Sequence, residues 1–442
     1  MTGINNRYLV FGSTGDLSKR KLFPAFYNML INNNLNNSDQ IIAFGRKQMT
    51  TDEFLDNIKE NINAFSRYHY NEKDFENLRS ITKYIILDID DRNQYIDIFK
   101  QLGPAKQSIA YLAMAPSFFY QIACNLANSN ISNLNIVIEK PFGDTLDDIN
   151  MLHLMLLEHY LEDNIYYIDH YLGKEMVRNI LTIRCANSIF ENLWNKQFIE
   201  KIEINALEKV AVENRASYYD KTGALKDMVQ NHLLQLLTII ALNDPSDKTT
   251  LKSQQRTILQ SLYYKDIKDS MLLGQYKEYR NEPMVNPLSK TETAASVKLY
   301  IDLPQWENIP FVVSTGKNLS EQKTEVKIYF KPSLNHLPGN VLTINIQPTE
   351  GLNLSVNVKK INNEDNTNIV NLEFCQSCNL ENKINTPESY EWMLEAIKNN
   401  EHYWFSEHEQ IKTSWLLIEK MFLEYQKEQL DLYFYDDQIR IL

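Results

Sequence analysis

The first part of the chain carries short runs of consecutive apolar residues, and a helical pattern separates each run from the next. Consecutive apolar residues are typical of strands that helices cover on both faces. The predicted strands span residues 8–11, 40–44, 84–89, 108–113, 135–138 and 165–168, and the predicted helices span 17–31, 51–64, 92–102, 117–128 and 145–160. Pro24 lies inside the first helix and is expected to kink it. This alternation predicts a doubly wound parallel sheet, and therefore a Rossmann-like domain over residues 1–169.

A different pattern begins near residue 170. Apolar and polar residues alternate in four segments, as expected for antiparallel strands with one packed face. These segments are 296–301, 324–330, 341–346 and 352–358, a long strand pattern spans 198–212, and helical patterns span 174–194, 224–242, 388–400 and 408–426. We therefore predict a larger second domain over residues 170–442, of the α+β class, with a mostly antiparallel sheet and helices.

Composition and charge narrow the classes of function. The 442 residues carry a formal net charge of -12, which argues against a nucleic-acid partner because like charges repel. The longest apolar run, 233–242, is about half of the ~20 residues that a membrane helix needs, so no membrane partner is expected. Four cysteines are too few for a disulfide framework, which favours a cytoplasmic protein. Cys375 and Cys378 are interpreted as strand residues, and no metal site is predicted.

A glycine-containing turn follows the first predicted strand and opens the first helix. It consists of Gly12, Ser13, Thr14, Gly15, Asp16 and Leu17. Glycines at such a turn let the backbone approach a pyrophosphate, and the helix N-terminus favours anions. The spacing differs from the usual Gly-x-Gly-x-x-Gly, so an ordinary glycine turn is the alternative. After the second predicted strand, the cation Arg46 suits the 2′-phosphate of NADP, although a solvated surface residue fits the pattern equally well.

Three further segments carry candidate chemistry. Lys140 follows a buried strand at a position that faces the ligand cleft in open α/β sheets. An imidazole, a phenol and an ammonium (His170, Tyr171 and Lys174) lie beside a predicted helix start, which favours an anion. His232 lies in the apolar stripe of the helix 224–242, where a satisfied core histidine and a general base are both open interpretations.

Taken together, these segments resemble the glucose-6-phosphate dehydrogenase family from residue 8 to about residue 425. The run Asp169-His-Tyr-Leu-Gly-Lys-Glu175 is similar to that family's signature, and the glycine turn is similar to its nucleotide loop. Further landmarks follow in the family's order: Glu139-Lys140-Pro-Phe-Gly143, Asp227-Met-Val-Gln-Asn-His232, Thr291-Glu-Thr293 and Thr315-Gly-Lys317.

The resemblance implies an oxidoreductase that converts D-glucose 6-phosphate to 6-phospho-D-glucono-1,5-lactone with hydride transfer to NADP, the first step of the oxidative pentose phosphate pathway. NAD would be a poorer cofactor. His232 would be the catalytic base, and Asp169 would orient its ring. The implied substrate-binding residues are Lys140, His170, Tyr171, Lys174, Glu208, Asp227 and Lys317. The implied cofactor-binding residues are Gly12, Ser13, Thr14, Gly15, Asp16, Leu17, Arg46, Asp88, Ile89 and Lys140.

The resemblance also implies a homodimer or homotetramer that assembles through the second domain. Three positions depart from the family's pattern. Ser18 stands where alanine is usual, and little consequence is expected from this change. Ser314 stands where arginine is usual, which weakens the case for a second, structural NADP site. Gln322 stands where a basic residue is usual, which predicts a weaker grip on the substrate phosphate.

Two other functions compete with this interpretation. An inositol-dehydrogenase-like enzyme also joins a nucleotide domain to a sheet domain and uses a strand-end Glu-Lys-Pro. The anion site of His170, Tyr171 and Lys174 argues against it, because a polyol without phosphate has no use for that site. A catalytically silent sugar-phosphate sensor is the second alternative, and the retention of His232 with Asp169 argues against it.

Overall fold

The computed structural model describes residues 4–244, 246–332, 337–360, 363–376, 378 and 386–442, without the side chains of residues 214 and 363–366. The chain divides into two compact units. The first comprises Met1–Gly173 and Thr386–His408, and the second comprises Lys174–Asn385 and Glu409–Leu442. The predicted boundary at residue 170 lies close to this division. The segment Thr386–His408, however, belongs to the first unit, whereas the prediction placed it in the second domain.

The first unit contains a six-stranded sheet in the order β3-β2-β1-β4-β5-β6. Every pairing between neighbouring strands is parallel. The strands are β1 Ile4–Phe11, β2 Gln40–Gly45, β3 Thr82–Ile86, β4 Ala105–Leu112, β5 Leu134–Glu139 and β6 Ile165–Ile168. The predicted doubly wound sheet is confirmed, and its strand order reverses between β1 and β4, where such sheets bind ligands.

Helices connect these strands. They span Phe23–Ile31, Thr51–Phe65, Glu72–Ile81, Arg92–Leu102, Phe119–Ala127 and Leu146–Leu157, with short 3₁₀ turns at Pro116–Phe118 and Glu162–Asn164. The helix Glu72–Ile81 was not predicted. Pro24 is the second residue of its helix, and the irregularity lies just before it, in wide π-helical turns over Ser18–Leu22. Because proline has no N–H to donate to the preceding turn, the wide turns directly before Pro24 accommodate the missing hydrogen bond.

A helix from near the C-terminus, Ser389–Lys398, completes the first unit, and we call it the returning helix. Its Glu391 carboxylate is buried and lies 2.9 Å from the Arg67 guanidinium. The Asn28 side-chain amide also donates to Glu391, at 2.8 Å. Such long-range polar contacts leave no periodic signal in the sequence.

The second unit contains a larger sheet in the order β15-β14-β13-β12-β7-β11-β10-β9-β16, with β8 paired to β10. The pairs β7–β11 and β9–β16 are parallel and the other pairs are antiparallel. The strands are β7 Ile199–Leu207, β8 Leu262–Tyr263, β9 Met271–Tyr276, β10 Ala294–Ile301, β11 Phe311–Gly316, β12 Lys323–Phe330, β13 Val341–Gln347, β14 Gly351–Lys360, β15 Asn363–Cys375 and β16 Tyr433–Tyr435. The predicted mostly antiparallel sheet is confirmed.

The helices of this unit differ from the predicted ones mainly because the structure divides long predicted helices into shorter ones. They span Glu175–Cys185, Ser188–Glu191, Ala216–Ala224, Leu225–Leu233, Leu234–Ala241, Leu251–Gln260, Ile267–Ser270 and His408–Lys427, with 3₁₀ turns at Glu213–Arg215 and Tyr279–Asn281. The predicted helix 174–194 is thus two helices, and the predicted strand 198–212 ends at Leu207. Within the described ranges, no helix combines the length and apolar character that crossing a membrane requires.

The Cys375-Gln-Ser-Cys378 segment differs from its interpretation as strand residues. Cys375 is the last residue of β15, whereas Cys378 lies in a turn beyond it. The two residues form a disulfide, with their Cα atoms 5.4 Å apart. This separation lies within the range that a disulfide requires, and the apolar–polar pattern of the sequence does not indicate such a pairing.

Candidate functional site

A cavity of about 690 Å³ opens at the carboxyl ends of β1 to β4 in the first unit. Six of the predicted cofactor-binding residues line it: Gly12, Thr14, Gly15, Arg46, Asp88 and Ile89. They follow β1, β2 and β3, whose parallel pairing brings their carboxyl ends to one edge of the sheet. Met114 and Phe118, which the sequence did not indicate, also line the cavity and add apolar surface. This arrangement fits a nucleotide, which needs both polar and apolar contacts.

The turn after β1 can approach a ligand closely only because position 12 is glycine. Gly12 has φ +76°, and a Cβ atom added there would lie 2.3 Å from the Ala113 carbonyl oxygen. The Gly15 N–H donates to the Gly12 carbonyl at 2.9 Å, and the Ser18 hydroxyl donates to the same carbonyl at 2.9 Å. These hydrogen bonds hold the backbone in a compact turn. Gly12, the first residue of the turn, has no side chain that would keep a ligand away from the backbone.

The remaining predicted cofactor residues are not among those that line this cavity. Ser13 is buried, and its hydroxyl donates to the Phe44 carbonyl at 2.8 Å. Asp16 is exposed and lies 3.8 Å from Arg20. Leu17 and Lys140 are also absent from the lining. The Ser13 hydroxyl therefore ties the turn to the end of β2, and its role in cofactor binding stays a prediction.

The carboxyl ends of β5 and β6, the last two strands of the six-stranded sheet, carry the next predicted residues. Lys140 follows β5, and Asp169, His170 and Tyr171 follow β6, which is parallel to β5. Asp169 is buried and accepts a hydrogen bond from the Tyr171 N–H at 3.0 Å. The structure thus brings these four residues to one edge of the sheet. Glu139, which the sequence prediction left without a role, is buried beside them at the end of β5.

In the second unit, three predicted substrate-binding residues meet. The Lys317 ammonium forms an ion pair with the Glu208 carboxylate and lies 3.8 Å from the Asp227 carboxylate. Glu208 follows β7 and Lys317 follows β11, and these strands are paired in parallel with Leu207 opposite Gly316. The two strand ends therefore place their next residues side by side. We call this set of Glu208, Asp227 and Lys317 the charged cluster.

The charged cluster has an aromatic neighbour that the sequence did not indicate. The Lys317 ammonium lies 5.2 Å from the centroid of the Tyr219 ring, within the range of a cation–π interaction. Tyr219 is 2% exposed, and its burial raises the pKa of the phenol well above its usual value. The ring therefore restricts the position of Lys317 from one side.

The helix that carries Asp227 and His232 spans Leu225–Leu233 in wide π-helical turns. Both side chains are buried. Glu292 fixes the start of this helix: its carboxylate accepts from the Leu225 N–H at 3.1 Å, and its carbonyl accepts from the Ala224 N–H at 3.0 Å. Gly223, with φ +66°, leaves room for this carboxylate, since an added Cβ would lie 2.3 Å from it. Burial raises the pKa of Glu292 to about 7.

Lys174, predicted to bind phosphate, precedes the helix Glu175–Cys185. Its ammonium donates to the side-chain oxygen of Gln347, the last residue of β13. Gln347 gave no sequence signal, because an amide at a strand end is common. The predicted catalytic pair draws Asp169 from the first unit and His232 from the second, and the joint role of the two residues stays a prediction.

Known proteins match the chain along nearly its whole length. The family model for the glucose-6-phosphate dehydrogenase NAD binding domain matches residues 9–179, and the model for the C-terminal domain of that family matches residues 181–439. Glucose-6-phosphate 1-dehydrogenase of Streptococcus pneumoniae is 34% identical over 442 residues, which cover 93% of this chain and 88% of that protein. The Bacillus subtilis protein of the same name is 33% identical, with 93% and 90% covered.

A solved structure gives the same result in three dimensions. It is a glucose-6-phosphate dehydrogenase in complex with its substrate glucose-6-phosphate. The match has a TM-score of 0.89 at 27% identity and covers 99% of this chain and 96% of the solved chain. The two folds therefore agree across both units.

Replacing Gly12 with alanine is expected to weaken nucleotide binding at least tenfold, because the added methyl group collides with the Ala113 carbonyl and strains a positive φ. Gly103→Ala is the matched control, since Gly103 has φ +68° but no atom within 4 Å of an added Cβ. Titration of each variant with NADPH, followed by its fluorescence, measures the dissociation constant. Equal affinities in the two variants would contradict the close approach at Gly12.

Proposed function

Because the chain belongs to the glucose-6-phosphate dehydrogenase family, we propose that it oxidises C1 of D-glucose 6-phosphate to give 6-phospho-D-glucono-1,5-lactone. The reaction would be the first step of the oxidative pentose phosphate pathway. The observation that carries this proposal is the charged cluster, in which Lys317 contacts both Glu208 and Asp227. A sugar presents hydroxyl groups that both donate and accept, and charged partners of both signs bind them with charge-assisted hydrogen bonds.

In this proposal the substrate is held at both ends. Glu208, Asp227 and Lys317 bind sugar hydroxyls, with Lys140 as a further donor. His170, Tyr171 and Lys174 bind the 6-phosphate. Support for the role of Lys174 comes from its place before the first turn of a helix, where N–H groups and the helix dipole favour an anion. Its contact with Gln347 holds the ammonium in one position before a phosphate arrives.

The chemical step needs a proton acceptor. As the C1–H bond breaks, its electron pair leaves with the hydride, and the C1 hydroxyl must lose its proton to become a carbonyl. We propose that His232 takes this proton, since an imidazole with a pKa near ~6.5 is suited to a base at neutral pH. Asp169 would accept from the other ring nitrogen and stabilise the imidazolium. Burial of His232 supports the role because it limits competition from water.

The first unit is a nicotinamide-dinucleotide binding domain, and we propose NADP as the preferred cofactor, with NAD as a poorer one. The bound nicotinamide supplies the acceptor for the hydride. The turn after β1, with Gly12, Thr14 and Gly15, would hold the pyrophosphate. Asp88 and Ile89 would border the adenosine. Arg46 is exposed at the rim of the cavity, which suits contact with a 2′-phosphate.

We also propose a cytoplasmic homodimer or homotetramer. Support comes from β15, which ends the large sheet among the described strands. Three side chains along it, Val370, Leu372 and Phe374, are exposed large apolar groups. An exposed apolar edge strand invites aggregation unless a partner covers it, and a second copy of the chain would do so.

An absorbance assay for NADPH tests the proposed reaction against its alternatives. Purified protein is supplied with NADP and either glucose 6-phosphate, inositol or no sugar. We expect absorbance to rise only with glucose 6-phosphate. A rise with inositol would favour the polyol dehydrogenase, and no rise with either sugar, despite binding of glucose 6-phosphate, would favour the silent sensor.

Arg46→Ala should raise the Michaelis constant for NADP at least tenfold and leave that for NAD nearly unchanged. The reason is the loss of a guanidinium–phosphate contact, which is worth roughly 1.5–3 kcal/mol. Steady-state kinetics with both cofactors give the two constants. Lys47→Ala, next to it, is the matched control for a general loss of positive charge. Similar changes with NADP and NAD would remove Arg46 from the 2′-phosphate site.

His232→Asn should lower kcat by ~10²–10⁴-fold, as is typical for the loss of a general base, with little change in substrate binding. Asp169→Asn should also lower kcat, and the double variant should lose less than the two single losses combined, because the residues act as one unit. The measurements are kcat and the dissociation constant for glucose 6-phosphate in all three variants. Near-normal kcat in His232→Asn would show that the base is another group.

A further inference from the structure

Glu139 is a buried carboxylic acid that none of the roles above uses. It is the last residue of β5 and is 8% exposed. Three donors converge on its carboxylate: the Tyr111 hydroxyl, the Tyr390 hydroxyl and the N–H of Lys140. Burying an ionised carboxylate is costly unless donors replace the lost water. The convergence of three donors therefore marks a built site.

The donors come from different parts of the first unit. Tyr111 lies on β4, the neighbour of β5, and is fully buried. Tyr390 lies on the returning helix and is 7% exposed. Lys140 directly follows Glu139 in the chain, and its main-chain N–H donates to the Glu139 carboxylate. Glu139 thus joins a strand, the returning helix and the backbone of Lys140.

Tyr390 makes a second contact. Its ring lies nearly parallel to the His170 ring, at an interplanar angle of 14° with centroids 6.3 Å apart. Tyr390 therefore has two neighbours. Its hydroxyl donates to Glu139, whose carboxylate also accepts from the Lys140 N–H. Its ring lies beside the ring of His170, a proposed phosphate-binding residue. Since the returning helix supplies both contacts, it can set the two positions together.

We propose that Glu139 and Tyr390 are positioning residues: the ionised Glu139 carboxylate holds the backbone of Lys140, and Tyr390 holds both that carboxylate and the ring of His170. The inference deepens the proposed function and rests on it, because Lys140 and His170 are its proposed substrate ligands. Neither positioning residue needs to touch the substrate. Their effect on the reaction passes through Lys140 and His170.

The ionisation of Glu139 gives this network a pH dependence. Burial is the main cause that raises the pKa of Glu139, the hydrogen bonds from Tyr111, Tyr390 and the Lys140 N–H lower it, and the nearby Asp169 carboxylate raises it, so that the pKa is about 7. Burial likewise raises the pKa of both phenols well above neutrality, so they remain donors. The positioning is therefore present above about pH 7 and is lost as the pH falls through that value.

The test compares three variants with the wild type. Tyr390→Phe removes one donor to Glu139 and keeps the ring beside His170. Tyr390→Leu removes both contacts, and Glu139→Gln removes the ionisation. Tyr160→Phe is the matched control, because it removes another buried hydroxyl of the first unit, which donates to the Ala123 carbonyl. The readouts are the pH profile of kcat/KM for glucose 6-phosphate, KM itself, and the titration of the ¹³C-labelled Glu139 carboxylate by NMR.

In the wild type, the fall of kcat/KM at low pH should include the ionisation of Glu139, with a pKa of about 7. Glu139→Gln should remove this ionisation from the profile and lower kcat/KM at pH 8 by about tenfold, because a substrate ligand is misplaced. Tyr390→Phe should move the Glu139 titration up by about one pH unit, because the ionised form loses a donor. KM should rise clearly in Tyr390→Leu, and Tyr390→Phe should restore most of the wild-type value.

Contrary outcomes are distinguishable. If all variants and the Tyr160→Phe control lose stability alike but keep the wild-type pH profile, Glu139 and Tyr390 are structural residues and the inference is wrong. An unchanged Glu139 titration in Tyr390→Phe would also overturn it, whatever the activity. A wild-type protein without turnover of glucose 6-phosphate would instead refute the proposed function, while the NMR titration would still decide whether Tyr390 controls the Glu139 carboxylate.

Discussion

Parallel pairing of strands is the constraint on which the functional parts of both units depend. Hydrogen bonds between parallel strands force their carboxyl ends to the same edge, so residues that follow different strands become neighbours. In the first unit this brings Gly12, Arg46 and Asp88 around one cavity. In the second unit, one parallel pair within a mostly antiparallel sheet, β7 with β11, sets Glu208 beside Lys317. Antiparallel pairing would place these two strand ends at opposite edges.

A second common feature is a buried carboxylate that holds main-chain N–H groups. Glu139 accepts from the Lys140 N–H in the first unit, and Glu292 accepts from the Leu225 N–H in the second. Burial raises the pKa of each carboxyl to about 7. Each lies next to a segment with proposed chemistry, and each fixes the backbone of that segment. The cost of burying such a group is offset by donors that are already oriented in the fold.

Local patterns predicted some elements well and others poorly. The strands of the first sheet were found close to their predicted positions, because a short, continuous apolar run between two helical patterns is typical of a buried parallel strand. The helix Glu72–Ile81 was missed, and so were strands such as β9 and β11. β11 contains two buried polar residues, Ser314 and Thr315. The Ser314 hydroxyl forms a hydrogen bond with the Ser296 hydroxyl, and the Thr315 hydroxyl donates to the Ala206 carbonyl. Polar residues that are satisfied by buried partners interrupt the apolar pattern on which the prediction relied.

By itself the sequence determined the order of a parallel-sheet domain before a mostly antiparallel one, the glycine turn, and the residues of the charged cluster through the family motifs. These are properties of periodicity and of short motifs, which a chain carries locally. Only the tertiary structure decided that the returning helix belongs to the first unit, that Tyr219 lies beside Lys317, and that Tyr390 reaches Glu139. Each of these contacts joins residues far apart in the chain, and their energies depend on burial and donor geometry that exist only after the chain has folded.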